Sequence, residues 1–271
     1  MTVPYLQKKR IVEYLQQGKR FDGRKPTDLR DIEVSLNISE CAEGSCSVKF
    51  GKTEAYAGVK MSVITPYPDS ADEGTLSVGL ELGTMADSTF DLSGAPGIGA
   101  IEMARVIDRG LRESGLIDWK KLCIKEGEKV WQISIDIYAI NNDGNLFDVA
   151  ALAALIALAN AKFPEYDEVA GKVEHKLTDN KLPLIKDNMS FNLTVWKVGD
   201  SLVLDPSKDE EETADYRLGI ALANNNGEPR ITAMQKGKEG FITQEDMVKI
   251  LTLVEKEFPA LDKKIKKLVW N

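Results

Sequence analysis

The stretch Asn141-Asn142-Asp143-Gly144-Asn145-Leu146-Phe147-Asp148, followed by the apolar run Val149-Ala150-Ala151-Leu152-Ala153-Ala154-Leu155-Ile156-Ala157-Leu158-Ala159, decides how this chain folds. The first four residues are turn formers, and Asp148 reads as an N-cap opening a helix over 149–161. Because that helix is apolar on every face, it is expected to be buried on all sides at the centre of a first domain. It is also the longest apolar run and is far shorter than a membrane span.

Upstream, Trp131, Ile133, Ile135 and Ile137 alternate with Gln132, Ser134 and Asp136, the signature of a strand over 130–140. The same period-two pattern recurs at Ile32–Leu36, Ala55–Lys60 and Leu76–Leu82, predicting a largely antiparallel sheet over 31–83. Leu6, Ile11, Val12 and Leu15 give a leading amphipathic helix over 5–17, stopped by Gly18. Downstream, a lysine-rich polar stretch over 162–188 reads as an exposed connection. Strands near 190–197, 201–205, 216–223 and 230–235 then lead to a helix from Thr243, where Asp246 completes a capping-box pattern. Strand runs followed by helices make the class α+β.

The chain has 271 residues, 35 Lys plus Arg and 43 Asp plus Glu, for a net charge of −8. With 43% hydrophobic and 29% charged residues it is globular in composition, and the acidic balance argues against a generally basic nucleic-acid coat protein. Three cysteines (Cys41, Cys46, Cys123) cannot all pair and read as small buried hydrophobes in a reducing compartment. With the lone His175 they lack zinc-ligand spacing, so neither a metal site nor a cofactor is expected. His175 sits among Lys172, Glu174, Lys176 and Asp179 and reads as a solvated surface residue. No signal peptide or membrane span is evident, so a soluble, cytoplasmic protein is expected.

Three features bear on chemistry. Glycines at 94, 97 and 99 precede a helix over about 100–114, where backbone N–H groups suit an anion. No Lys-Ser/Thr pair follows, and Ala100 and Ile101 stand where galactokinase-type phosphate loops carry serines, so a turn is the better reading. On the helix itself, Arg105, Arg109 and Arg112 fall within about 60° of arc, opposite Met103, Val106, Ile107 and Leu111. Spacing alone favours a solvated face with pairs to Glu102 and Asp108, against a phosphate track. The third feature, six carboxylates between Asp205 and Asp215, reads as a solvated acidic loop.

In order, Arg20-Phe21-Asp22-Gly23-Arg24, Gly44-Ser45-Cys46-Ser47-Val48-Lys49-Phe50-Gly51, the Arg105/Arg109/Arg112 helix, Asp143–Asp148 and Leu204-Asp205-Pro206-Ser207-Lys208-Asp209-Glu210-Glu211 resemble the RNase PH family. The resemblance is strongest to the non-catalytic RNase PH-like subunits of the archaeal exosome, and runs from about residue 10 to 255. It implies a two-lobed RNase PH fold, with a first lobe like ribosomal protein S5 domain 2 and a smaller β-sheet lobe with helices. The divisions are an N-terminal arm over 1–30, domain 1 over 31–165, domain 2 over 190–258 and a basic tail over 259–271. It also implies a hexameric ring of three heterodimers with a catalytic RNase PH-like subunit, caps bearing S1, KH or zinc-ribbon modules, and single-stranded RNA as partner.

Active family members hold inorganic phosphate with an arginine and a Ser or Thr in the turn before the central helix. Here the arginine position is Leu146, and Asp148 is expected to place a negative charge at the phosphate site. The chain is therefore expected to be inactive, with no catalytic residue. Asp215, near the family's catalytic aspartate, reads as a remnant or structural residue. The resemblance reverses the reading of the arginine helix and implies that Arg105, Arg109 and Arg112 contact RNA, Arg105 and Arg109 above all.

Overall fold

The computed structural model describes residues 3–90, 97–168, 170–225 and 227–270. Helix α1 (Tyr5–Gln16) precedes strands β1 (Ile32–Leu36), β2 (Gly44–Phe50), β3 (Thr53–Ile64) and β4 (Thr75–Leu82). Helix α2 (Ile98–Arg112) leads to β5 (Cys123–Lys125), β6 (Lys129–Asn141) and the apolar helix α3 (Leu146–Asn160). Strands β7 (Lys162–Asp167), β8 (Lys172–Lys181), β9 (Ser190–Val198) and β10 (Ser201–Leu204) follow. Helix α4 (Lys208–Thr213), strands β11 (Tyr216–Asn225) and β12 (Glu228–Gly237) and helix α5 (Gln244–Val269) complete the order.

Among the described residues the strands form two main sheets and a hairpin. In the first sheet the order is β1-β2-β3-β6-β4, with β5 beside β6. Its pairs are antiparallel apart from β4 and β6, which run parallel with Val78 opposite Ile135. The second sheet has the order β10-β9-β11-β12 and is antiparallel throughout. Between them lies α3, buried from Leu146 to Ala159 and packed against β2, β3 and β6 on one side and β9 on the other. One core thus unites both lobes, and α1 packs on α4 and β10 of the second lobe.

Several expectations change. The segment 162–188 is no open connection: β7 and β8 pair as a hairpin, so His175 lies in a strand. Lys176 bonds Glu165 across it at 2.6 Å, and Phe163 and Tyr166 pack on Trp131 at 5.5 and 5.8 Å between ring centroids. Charged side chains dominate both strands, so no apolar alternation betrays them. Of the cysteines only Cys46 is a buried hydrophobe, whose thiol burial pushes up to about 12; Cys41 is exposed and Cys123 half-buried. The 258/259 boundary drawn for a separate tail falls inside α5, which continues with Leu261 and Ile265 buried. No helix among the described residues is long and apolar enough to cross a membrane.

Candidate functional site

Helix α2 forms because Ala100, Ala104, Val106, Ile107, Gly110 and Leu111 recur at helical spacing, and that face packs on β4, β9, β11 and β12. Gly97 stands at its N-cap without a side-chain cap bond; Gly94 to Pro96 of the glycine segment lie outside the described residues. On the opposite edge Arg105 and Arg109 are exposed and have no hydrogen-bond or ion-pair partner among the described residues. They line two adjoining grooves, one against Leu76, Ser77 and Val78 of β4, the other against Ala233, Met234 and Gln235 of β12.

Arg112 differs from both. Its guanidinium binds Asp108 through two hydrogen bonds of 2.8 and 3.1 Å, donates to the Leu76 carbonyl at 2.8 Å and lies 5.9 Å from the Trp119 ring centroid. The Asp108 bonds raise its pKa further. The other acid of the helix, Glu102, bonds Arg217 at 2.7 Å instead of a neighbour on α2. Both acids are thus matched by other cations, which leaves the charges of Arg105 and Arg109 unbalanced on the surface.

At the α3 start, Gly144 takes φ +89°, a left-handed conformation, and a Cβ there would meet the Pro206 carbonyl at 2.5 Å. Asn145, also left-handed at φ 56°, is the N-cap in place of Asp148. Its side chain donates to Asp205 at 3.0 Å and its backbone N–H donates to Glu211 Oε2 at 3.0 Å. Leu146 is buried. Asp148 lies in the first turn of the helix, buried, accepting from the Thr194 N–H at 3.0 Å and the Thr194 hydroxyl at 2.6 Å. Burial pushes its pKa up to about 7. The expected repelling charge is therefore not Asp148 facing a ligand; the acid at the helix start is Glu211, which occupies the Asn145 N–H and whose pKa burial raises. The helix begins three residues earlier than expected because two successive left-handed residues, 144 and 145, complete the turn.

The acidic stretch is not a solvated loop. Asp205 and Glu210 are buried, and residues 208–213 form α4. Asp205 accepts from Arg30 at 2.7 Å and Arg24 at 2.9 Å, and Glu210 is paired with the buried Arg20. Burial alone would raise the Asp205 pKa, but the Arg30 bonds overcome it and hold the carboxyl below its ordinary value. Lys208 and Asp87 are 2.6 Å apart; against burial, this bond and those from Thr89 and Asn142 bring Asp87 down to about 2. Asp215 is exposed, and its carboxylate accepts from the Gly199 N–H at 2.9 Å, a structural tie in the β9–β10 turn. Arg30 and Arg217 carry no sequence signal, and the roles of Asn145 and Glu211, though both stand in quoted motifs, are not legible there, because their partners lie 60 or more residues away.

Residues 28–164 match domain 1 of the 3′ exoribonuclease family, RNase PH, and residues 189–256 match its domain 2. A relative from Thermococcus kodakarensis, "Exosome complex component Rrp42", is 39% identical over 261 residues, 96% of this chain and 94% of the relative. A protein of the same description from Methanothermobacter thermautotrophicus is 37% identical over 259 residues, covering 96% and 94%. Among solved structures, a chain of the Archaeoglobus fulgidus exosome with RNA bound to the active site superposes with a TM-score of 0.85 at 36% identity, covering 96% of this chain and 97% of that one. Matched in both domains and along nearly its whole length, this chain belongs to the 3′ exoribonuclease family, RNase PH, and has its two-domain fold.

Proposed function

We propose that this chain is a non-catalytic ring subunit of an archaeal-type exosome, a complex that degrades RNA from the 3′ end by phosphorolysis. It alternates with a catalytic RNase PH-like partner in a hexamer of three heterodimers, capped by proteins bearing S1, KH or zinc-ribbon modules. Its work is to shape the partner's active site and to offer Arg105 and Arg109 to the phosphates of single-stranded RNA. The observation that carries this reading is the closed start of α3. Leu146 supplies no guanidinium, and the Glu211 carboxylate already takes the Asn145 N–H, so an incoming phosphate meets an acid where it needs donors. Losing even one preorganised donor to an anionic transition state slows a reaction about a hundred- to a thousand-fold.

Calorimetric titration of inorganic phosphate into the isolated chain tests this. No saturable heat is expected at millimolar phosphate; a saturable isotherm abolished by Asn145→Ala would overturn the closed-site reading. Arg112 belongs to the proposed RNA-contacting set through its position, but its engagement with Asp108 and Leu76 supports a smaller share than that of Arg105 or Arg109.

A further inference from the structure

Outside the α2 grooves, the N-terminal arm presents a second surface to which the proposed ring function assigns no role. Helix α1 ends in a Schellman turn: the Gly18 N–H donates to the Leu15 carbonyl at 2.9 Å and the Lys19 N–H to the Tyr14 carbonyl at 3.0 Å, with Gly18 at φ +71°. The turn brings Phe21 back onto Tyr14, ring centroids 4.8 Å apart and planes tilted by 37°. Both rings remain open to solvent, Tyr14 at 42% and Phe21 at 54% exposure. The next position down the chain from Lys19, Arg20, is locked by its buried bonds to Glu210 and to the Leu204 and Asp205 carbonyls. The ring pair is therefore held from both sides, with its conformation set before any ligand arrives.

Two unpaired cations flank it, with the exposed Glu13 as a neighbour. Arg10, one helical turn before Tyr14, and Lys19 are exposed and have no ion-pair partner among the described residues. Lys9 has only a 4.0 Å pairing with Glu13. Asp22, beside Phe21, is bound to Arg24 at 2.7 Å, so its charge is matched. Exposed aromatic faces interleaved with unpaired cations suit a ligand with flat π-systems on an anionic backbone.

We infer that Tyr14 and Phe21, with Arg10 and Lys19, form a second binding site for single-stranded RNA, in which a base stacks on the ring pair and the flanking phosphates meet the two cations. The inference rests on the proposed RNA-binding function for the identity of the ligand, but on different residues and a different element. Because α1 packs on α4 and β10, the site belongs to the second lobe's flank and not to the α2 grooves.

The test uses the full chain and a labelled 20-nucleotide oligoadenylate, with affinity read by fluorescence anisotropy. Tyr14→Ala with Phe21→Ala is expected to weaken binding about tenfold. Tyr14→Leu with Phe21→Leu keeps apolar volume without π faces and guards against loss of folding; it is expected to weaken binding equally. Combined with Arg105→Ala and Arg109→Ala, the losses are expected to multiply, as separate sites require. In the unaltered protein, RNA carrying 4-thiouridine is expected to crosslink to a peptide containing residues 10–24. Wild-type affinity in the leucine variant overturns the site, indicating a surface for an apolar protein partner. Absence of the crosslink overturns it as well. Loss confined to the Arg105/Arg109 variant removes this site while leaving the proposed function standing, whereas loss in neither removes both.

Discussion

Arg105, Arg109 and Arg112 share one helix edge in the sequence and do different jobs in the structure. The helical spacing that places them together is legible from any one of them, since an exposed edge follows from 100° per residue. What spacing cannot show is that Asp108 chooses Arg112 and that Glu102 reaches across to Arg217. Arg112→Ala is expected to lower unfolding stability by about 1 kcal/mol, discounted for its solvent exposure, and to weaken RNA binding less than Arg105→Ala or Arg109→Ala. Denaturant midpoints and anisotropy on the same samples separate the two effects. Arg30 lies at the other extreme: Arg30→Ala leaves the buried Asp205 with fewer partners and is expected to cost about 3–5 kcal/mol, read from the urea midpoint. Asp148 carries a pH signature. Its carboxyl titrates near 3.8 when unfolded and about 7 when folded, so the folded state holds the extra proton in between. The stability from this proton is complete below pH 3.8 and is lost as pH rises through 7, by up to about 1.4 kcal/mol per pH unit. In Asp148→Asn, whose amide can both accept from and donate to Thr194, this contribution to the pH slope between pH 4 and 7 is expected to vanish in urea titrations.

At the scale of elements, α3 was legible because alanine and leucine on every face leave a helix no solvent side, and both sheets do cover it. Leu155→Ala is expected to destabilise the protein by about 2–5 kcal/mol, since Leu155 is fully buried, whereas Glu165→Ala on the β7–β8 hairpin should change the denaturant midpoint by no more than a few tenths of a kcal/mol. The hairpin is illegible for the same reason that it is expected to tolerate substitution: its charged strands bury few side chains. The start of α3 was misread by three residues because an aspartate before an apolar run is normally a cap, and only the contact with Thr194, 46 residues away, reveals that this one points into the core. The acidic stretch was misread because its cations come from residues 20–30, about 180 positions earlier.

For the whole molecule, the net charge of −8 describes the sum and not the field. Asp205, Glu210 and Asp87 are cancelled by Arg30, Arg20 and Lys208, while Arg105 and Arg109 have no ion-pair partner among the described residues. An RNA strand meeting that face, as proposed, would encounter local positive charge on an acidic protein. If each arginine contacts one phosphate, Arg105→Ala with Arg109→Ala should flatten the dependence of log affinity on log salt by about 1.4. The central claim, that the chain lacks its own phosphorolytic centre and works through a partner, is tested most directly by nucleoside diphosphate release. Single-stranded RNA and inorganic phosphate are incubated with the purified chain, with a catalytic RNase PH-like partner, and with the two together. The account predicts no nucleoside diphosphate from this chain alone and sustained release from the complex. Release by this chain alone would contradict it.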